Sequence, residues 1–186
     1  MTAVNTADTD FPLLNLRRVA GNIGAEIRDI RLSADLDADT FAQLDAALVK
    51  YKVLFFRQQS HLTDAEHQAF GARFGKVVAH PTVPSPEGTK LFELDASKGG
   101  GRADSWHTDV TFVDAFPKIS ILRGVTIPEY GGDTVWANTA RAYEQLPETL
   151  KRFVDTLHAV HSNDYDYGAE RTIVEAHRLA HHQKVF

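Results

Sequence analysis

The chain has no cysteine among its 186 residues. Disulfides, thiolate metal sites and a cysteine nucleophile are therefore excluded, and any bound metal must rely on His, Asp or Glu. Basic runs are missing too, and the net charge is −5, so there is no electrostatic footprint for nucleic acid. No stretch approaches the roughly 20 apolar residues needed to span a bilayer, so no membrane partner is expected. Met1 to Asn15 lacks a positive n-region and an apolar h-region, and a cytoplasmic location is expected. Neither a G-x-G-x-x-G nor a P-loop is present, which weakens nucleotide-binding readings. What remains is ordinary for a soluble globular protein, with 43% hydrophobic and 24% charged residues. The length suits one domain with a substantial core. The expected organisation is a disordered tail over 1–11 and a single domain over 12–186.

Local signals place the first elements. Leu14, Leu16 and Val19, then Ala25 and Ile27, predict two short strands around the Gly21–Gly24 turn. Asp37 or Asp39 caps a helix whose stripe is Phe41, Leu44, Ala47 and Leu48, ending near Tyr51. The apolar run from Val53 to Phe56 predicts a buried strand. Thr63-Asp64-Ala65-Glu66 is a capping box, so a helix follows to about Phe74 and stops at Gly75.

Further along, Pro81, Pro84 and Pro86 make the segment from His80 to Gly88 a loop or lid. Strands are expected at Leu91–Leu94, Trp106–Phe112, Ile119–Val125 and Thr134–Ala137. Pro147 fits the first turn of a helix holding Leu150, Phe153 and Leu157. His158 to Tyr167 reads as a strand then a loop, and Ala169 to His182 as a helix. Short strands separated by Gly/Pro turns, with helices at the flanks, favour a mainly β (α+β) double-sheet jelly roll over a doubly wound sheet.

The chemistry concentrates in Trp106-His107-Thr108-Asp109-Val110-Thr111-Phe112. In a strand, His107 and Asp109 share a face. An imidazole and a carboxylate so placed supply two ligands of a 2-His-1-carboxylate triad, which holds non-haem Fe(II) with open positions. By itself the triplet is more often a strand histidine bonded to a polar neighbour. His61 and His67, flanking the capped helix, are read as solvent-facing. His158 and His161 are read as structural hydrogen-bonding groups rather than ligands. His177 and His181 are spaced i, i+4 on the expected helix, but without an adjacent base or third ligand.

The motifs in order carry a resemblance. Gly24-Ala25-Glu26-Ile27, Phe55-Phe56-Arg57-Gln58-Gln59, Phe74-Gly75, His80-Pro81 and the His107 motif come first. Gly131-Gly132-Asp133-Thr134-Val135-Trp136, Ala142-Tyr143 and Leu146-Pro147 follow. From about residue 14 the chain resembles the TauD/TfdA family of Fe(II)- and 2-oxoglutarate-dependent dioxygenases. The resemblance implies a double-stranded β-helix of cupin-like type, with Fe(II), 2-oxoglutarate and O₂ as cofactor and co-substrates. It implies His107 and Asp109 as the first two iron ligands and Thr134 as a hydrogen-bond donor to a 2-oxoglutarate carboxylate. His80 matches a substrate-pocket histidine that meets the sulfonate in taurine-using members.

Two departures bear on substrate. Val83 and Ala103 stand where the taurine enzymes carry a tyrosine and an asparagine, removing polar partners for a small zwitterion. The chain looks closer to the alkylsulfatase-like branch, with Val83, Val110 and Tyr167 facing an alkyl chain. The implied reaction hydroxylates a sulfonate or alkyl sulfate ester beside the heteroatom. Its products are succinate, CO₂, sulfite or sulfate, and an aldehyde.

The family completes its site with a later histidine and an arginine that clamps 2-oxoglutarate. Nothing after Asp109 resembles that segment. The chain therefore reads as the N-terminal two-thirds of a family member, with an incomplete jelly roll. One alternative is a truncated, non-catalytic member. Another is a Zn²⁺ hydrolase using His107, Asp109 and His80. Family members commonly self-associate, so a homo-oligomer is also open.

Overall fold

The computed structural model describes residues 8–81, 83–95, 97, 105–162 and 180–184. Of these, 8–74 with 123–145 make one compact unit, and 75–122 with 146–184 make a second.

The first unit is built on a three-stranded sheet. Strand β1 (Asn15–Arg18) pairs antiparallel with β2 (Ala25–Arg28), with Leu16 opposite Ile27. Strand β3 (Leu54–Phe56) lies parallel to β2, with Glu26 opposite Phe55. Parallel neighbours need a long crossover, and helix α1 (Ala38–Tyr51) supplies it. The alternation of β2 buries Ala25 and Ile27, and α1 answers with Leu44, Ala47 and Tyr51. Ile27 and Leu44 are wholly enclosed, each contributing about 1.5–3 kcal/mol of apolar burial.

The caps act as the sequence predicts. Asp37 Oδ1 accepts from the Thr40 N–H at 2.8 Å, and this bond holds its carboxyl below the usual range. Helix α2 (Asp64–Ala72) opens with the reciprocal Thr63–Glu66 box. Glu66 N–H donates to Thr63 Oγ1 at 3.2 Å, and Thr63 N–H donates to Glu66 Oε2 at 2.7 Å. Arg123 ties back to the start of this helix through the Leu62 carbonyl and Asp64.

Several expectations need correction. The tail does not extend through residue 11: Phe11 is buried in the core, and Asp8 and Asp10 both bind Lys50, at 2.7 and 2.8 Å. His67 is buried beside Phe70 rather than solvent-facing, because α2 packs that face inward. His61 is half-buried and shares a 2.8 Å hydrogen bond with the Leu32 carbonyl. A short helix that the sequence reading missed, α3 (Thr139–Glu144), is capped by Asn138, whose side chain accepts from the Arg141 N–H.

The strands expected at 91–94, 106–112, 119–125 and 134–137 are absent from the described residues. A strand exists through its ladder, and none of these segments finds a pairing partner there. Val125, Ile127 and Val135 accordingly stay exposed.

The second unit holds α4 (Glu148–Val154), entered through Pro147, and a two-stranded antiparallel sheet. The helix ends before Leu157, which the sequence stripe had included. In the sheet, β4 (His158–Ser162) pairs with β5 (Ala180–Lys184), bringing His161 opposite His181. Residues 180–182 are thus strand rather than the end of a helix, because the ladder to β4 satisfies their backbone groups. The rest of that expected helix lies outside the described residues.

Candidate metal centre

In the second unit, the motif around His107 forms a turn rather than a strand. Val110 is left-handed, at φ 51°, a conformation that a β-branched residue adopts at a cost of about 1–3 kcal/mol. The period-two argument for a shared face therefore does not hold. Proximity is achieved by the turn instead: His107 Nε2 lies 3.4 Å from Asp109 Oδ1.

Each remaining polar atom of the pair is engaged. His107 Nδ1 donates to the Ser105 carbonyl 2.9 Å away and so turns Nε2 toward Asp109. Ser120 Oγ donates to Asp109 Oδ2 at 3.2 Å, leaving Oδ1 toward the histidine. Two cis ligands each about 2.1 Å from an octahedral ion stand about 3 Å apart, so the spacing nearly matches shared coordination. The side chains are 44% and 59% exposed, which leaves room for further ligands. The donor set, one imidazole nitrogen and one carboxylate oxygen, suits a divalent transition metal. No group of three His, Cys, Asp or Glu side chains able to hold a metal occurs among the described residues. His80 therefore does not complete a zinc set with this pair.

The other candidates fall in three places. The His80 ring accepts at Nδ1 from the Val83 N–H, 3.2 Å away, and packs tilted against Phe92 at 5.1 Å. Its proton then belongs to Nε2, a neutral donor of the kind that meets an anionic oxygen. Thr134 belongs to the first unit and is exposed, two residues past Gly132 of the Gly131-Gly132 pair. Both glycines are left-handed, at φ 79° and 69°, a pair of conformations that explains Gly-Gly there. Tyr167 and Ala103 lie outside the described residues.

Sequence reasoning missed Ser105 and Ser120, which orient the pair through a carbonyl and a hydroxyl. Neither carries a motif signal, since a serine contact across eleven residues depends on the turn's path. It was right that His161 makes a structural hydrogen bond, here to Thr111 Oγ1 at 2.7 Å.

A histidine–aspartate pair oriented in this way offers one nitrogen and one oxygen donor side by side. The chain belongs to the family described as taurine catabolism dioxygenase TauD, TfdA, which it matches over residues 15–186. An alkylsulfatase of Acinetobacter baylyi is 59% identical over 174 residues, covering 93% of this chain and 55% of the relative. An alpha-ketoglutarate-dependent sulfate ester dioxygenase of Pseudomonas putida is 55% identical over 174 residues, covering 93% and 58%. The chain thus spans a little over half the length of these relatives, less than the two-thirds expected.

A solved taurine dioxygenase from Burkholderia xenovorans superposes with a TM-score of 0.68 at 42% identity, over 81% of this chain and 54% of that one. A second structure, AAD-2 with Mn(II) and N-oxalylglycine, superposes at 0.66 with 20% identity, covering 92% and 63%, and shows the fold alone. The fold is that of these jelly-roll dioxygenases, carried in part, as the sequence predicts.

Proposed function

We propose that the chain contributes the iron-binding part of an Fe(II)- and 2-oxoglutarate-dependent oxygenase acting on an alkyl sulfate ester or a small sulfonate. The observation that carries this reading is the 3.4 Å approach of His107 Nε2 to Asp109 Oδ1, each oriented through its other polar atom. The sulfate-ester dioxygenase and the alkylsulfatase among its relatives support the substrate class.

In this reading His107 and Asp109 hold Fe(II), and Thr134 donates its hydroxyl proton to a 2-oxoglutarate carboxylate. His80 offers its Nε2 proton to the sulfate, while Val83, Val110 and Tyr167 provide surface for the alkyl chain. When bound, iron with 2-oxoglutarate and O₂ supplies the oxidative decarboxylation to succinate and CO₂ and the insertion of one oxygen atom into a C–H bond. Hydroxylation on the carbon bearing the sulfate gives a hemiacetal-like ester that collapses to aldehyde and sulfate. Residues 12–186 are taken as part of one dioxygenase domain.

A second reading, a non-catalytic family member, is favoured by one observation: no third metal donor joins the pair among the described residues. Succinate formation from 2-oxoglutarate, with hexyl sulfate or taurine, by a form that also carries the later histidine and arginine separates the readings. In that form, turnover with hexyl sulfate that is lost in Asp109→Ala is expected. Retained turnover in Asp109→Ala refutes the ligand assignment, and faster use of taurine refutes the sulfate-ester preference. Metal binding without any turnover supports the second reading.

A further inference from the structure

We propose that His161, on β4, is a positioning residue for the His107–Asp109 pair, acting through a hydrogen-bonded brace of two threonines. The proposal rests on the metal-centre reading above. Thr108, between the two candidate ligands, places its Oγ1 2.7 Å from Thr111 Oγ1. Thr111 Oγ1 in turn lies 2.7 Å from His161 Nδ1, linking positions fifty residues apart. Each threonine hydroxyl donates once along this chain if Thr108 donates to Thr111 and Thr111 donates to the imidazole.

The brace spans the one left-handed residue of the turn. Val110 sits between Thr108 and Thr111 with φ 51°, a strained conformation that persists only where its surroundings over-determine it. Buried Phe112 anchors the next residue on the C-terminal side. The Thr108–Thr111 bond closes the turn, and His161 ties it to the ladder between β4 and β5. Without that tie, Val110 can relax toward an extended conformation. Residues 107 and 109 would then separate, although neither ligand is touched by His161.

Mn(II) titration of the full 186-residue chain, followed by the EPR signal of free Mn(II), tests this. His161→Leu and Thr111→Val, which is nearly isosteric, are each expected to weaken Mn(II) binding about tenfold, as loss of an outer-shell partner does. His161→Asn, whose amide reaches the position of Nδ1, is expected to stay within about twofold of the parent, well short of the outer-shell effect. Adding Val110→Gly to His161→Leu removes the strain, and binding is expected to recover. Thermal melts accompany each variant, and Thr111→Val carries the test if His161→Leu does not fold. Parent-like binding in Thr111→Val and His161→Leu, or no recovery with Val110→Gly, overturns the brace. If His107→Ala also titrates like the parent, the metal-centre reading itself has failed, which is a distinguishable result.

Discussion

Gly24→Ala is the substitution whose effect follows most directly from coordinates in the first unit. Gly24 is left-handed at φ 86°, donates its N–H to the Tyr51 carbonyl at 2.9 Å, and accepts from the Val19 N–H at 2.9 Å. A methyl group there would stand 3.3 Å from Phe55 Cε2 and 3.5 Å from Val19 Cβ. The left-handed penalty for alanine is about 1–2 kcal/mol. Displacing the Phe55 ring, which packs edge-on against Trp136 at 5.6 Å, adds up to about 1 kcal/mol. Restricting the unfolded chain returns about 0.4–1 kcal/mol. The net expectation is a loss of about 1–2 kcal/mol, or roughly 5- to 30-fold in the folding equilibrium. Urea denaturation followed by far-UV circular dichroism reads this directly. Combining Gly24→Ala with Phe55→Leu should recover the contact part, a coupling of about 0.5 kcal/mol, but not the backbone part. Unchanged or increased stability in Gly24→Ala would refute the conformational argument, and zero coupling would refute the contact.

Two further perturbations test local electrostatics. The Lys50 and Tyr51 side chains hydrogen-bond Asp8 and lower its carboxyl pKa to about 2. Because that value lies below the unfolded one, the stabilisation is complete above about pH 4 and is lost as pH falls through about 2. The gap in urea midpoint between the parent and Lys50→Met should therefore narrow as pH falls from 4 to 2, and a constant gap would count against the pairing. Thr63→Ala should cost about 1 kcal/mol by removing the acceptor of the Glu66 N–H, measured by thermal melting, with Thr63→Ser retaining most of the stability.

What could be read from the sequence was what neighbouring residues decide among themselves. Asp37 and Thr63–Glu66 cap their helices because a side chain reaches a backbone N–H three residues on. The two strands flanking the Gly21–Gly24 turn were legible for the same reason, whereas the parallel pairing of β2 with β3 across α1 was not. The pairing of β4 with β5 joins segments some twenty residues apart, and the apparent helix periodicity of 169–182 carried no trace of it. His67 went wrong for a related reason: the face of α2 that turns inward is set by what packs against it.

The candidate centre shows how a right pairing can rest on a wrong geometry. His107 and Asp109 were joined by assuming an extended backbone, in which residues two apart share a face. Here no ladder holds that segment extended, and a turn brings the same two side chains to 3.4 Å. The spacing of two therefore serves either backbone, but it makes different demands on the intervening residues. A strand would need only β-formers at 108, 110 and 111. The turn needs Val110 held against its own preference, and that requirement gives the hydroxyls of Thr108 and Thr111 a purpose that β-propensity alone does not. Ser105 and Ser120 then matter because a turn, unlike a strand in a sheet, does not fix side-chain direction through its neighbours. The ligand pair is legible as composition at a spacing. The means of holding it is legible only once the backbone path is known.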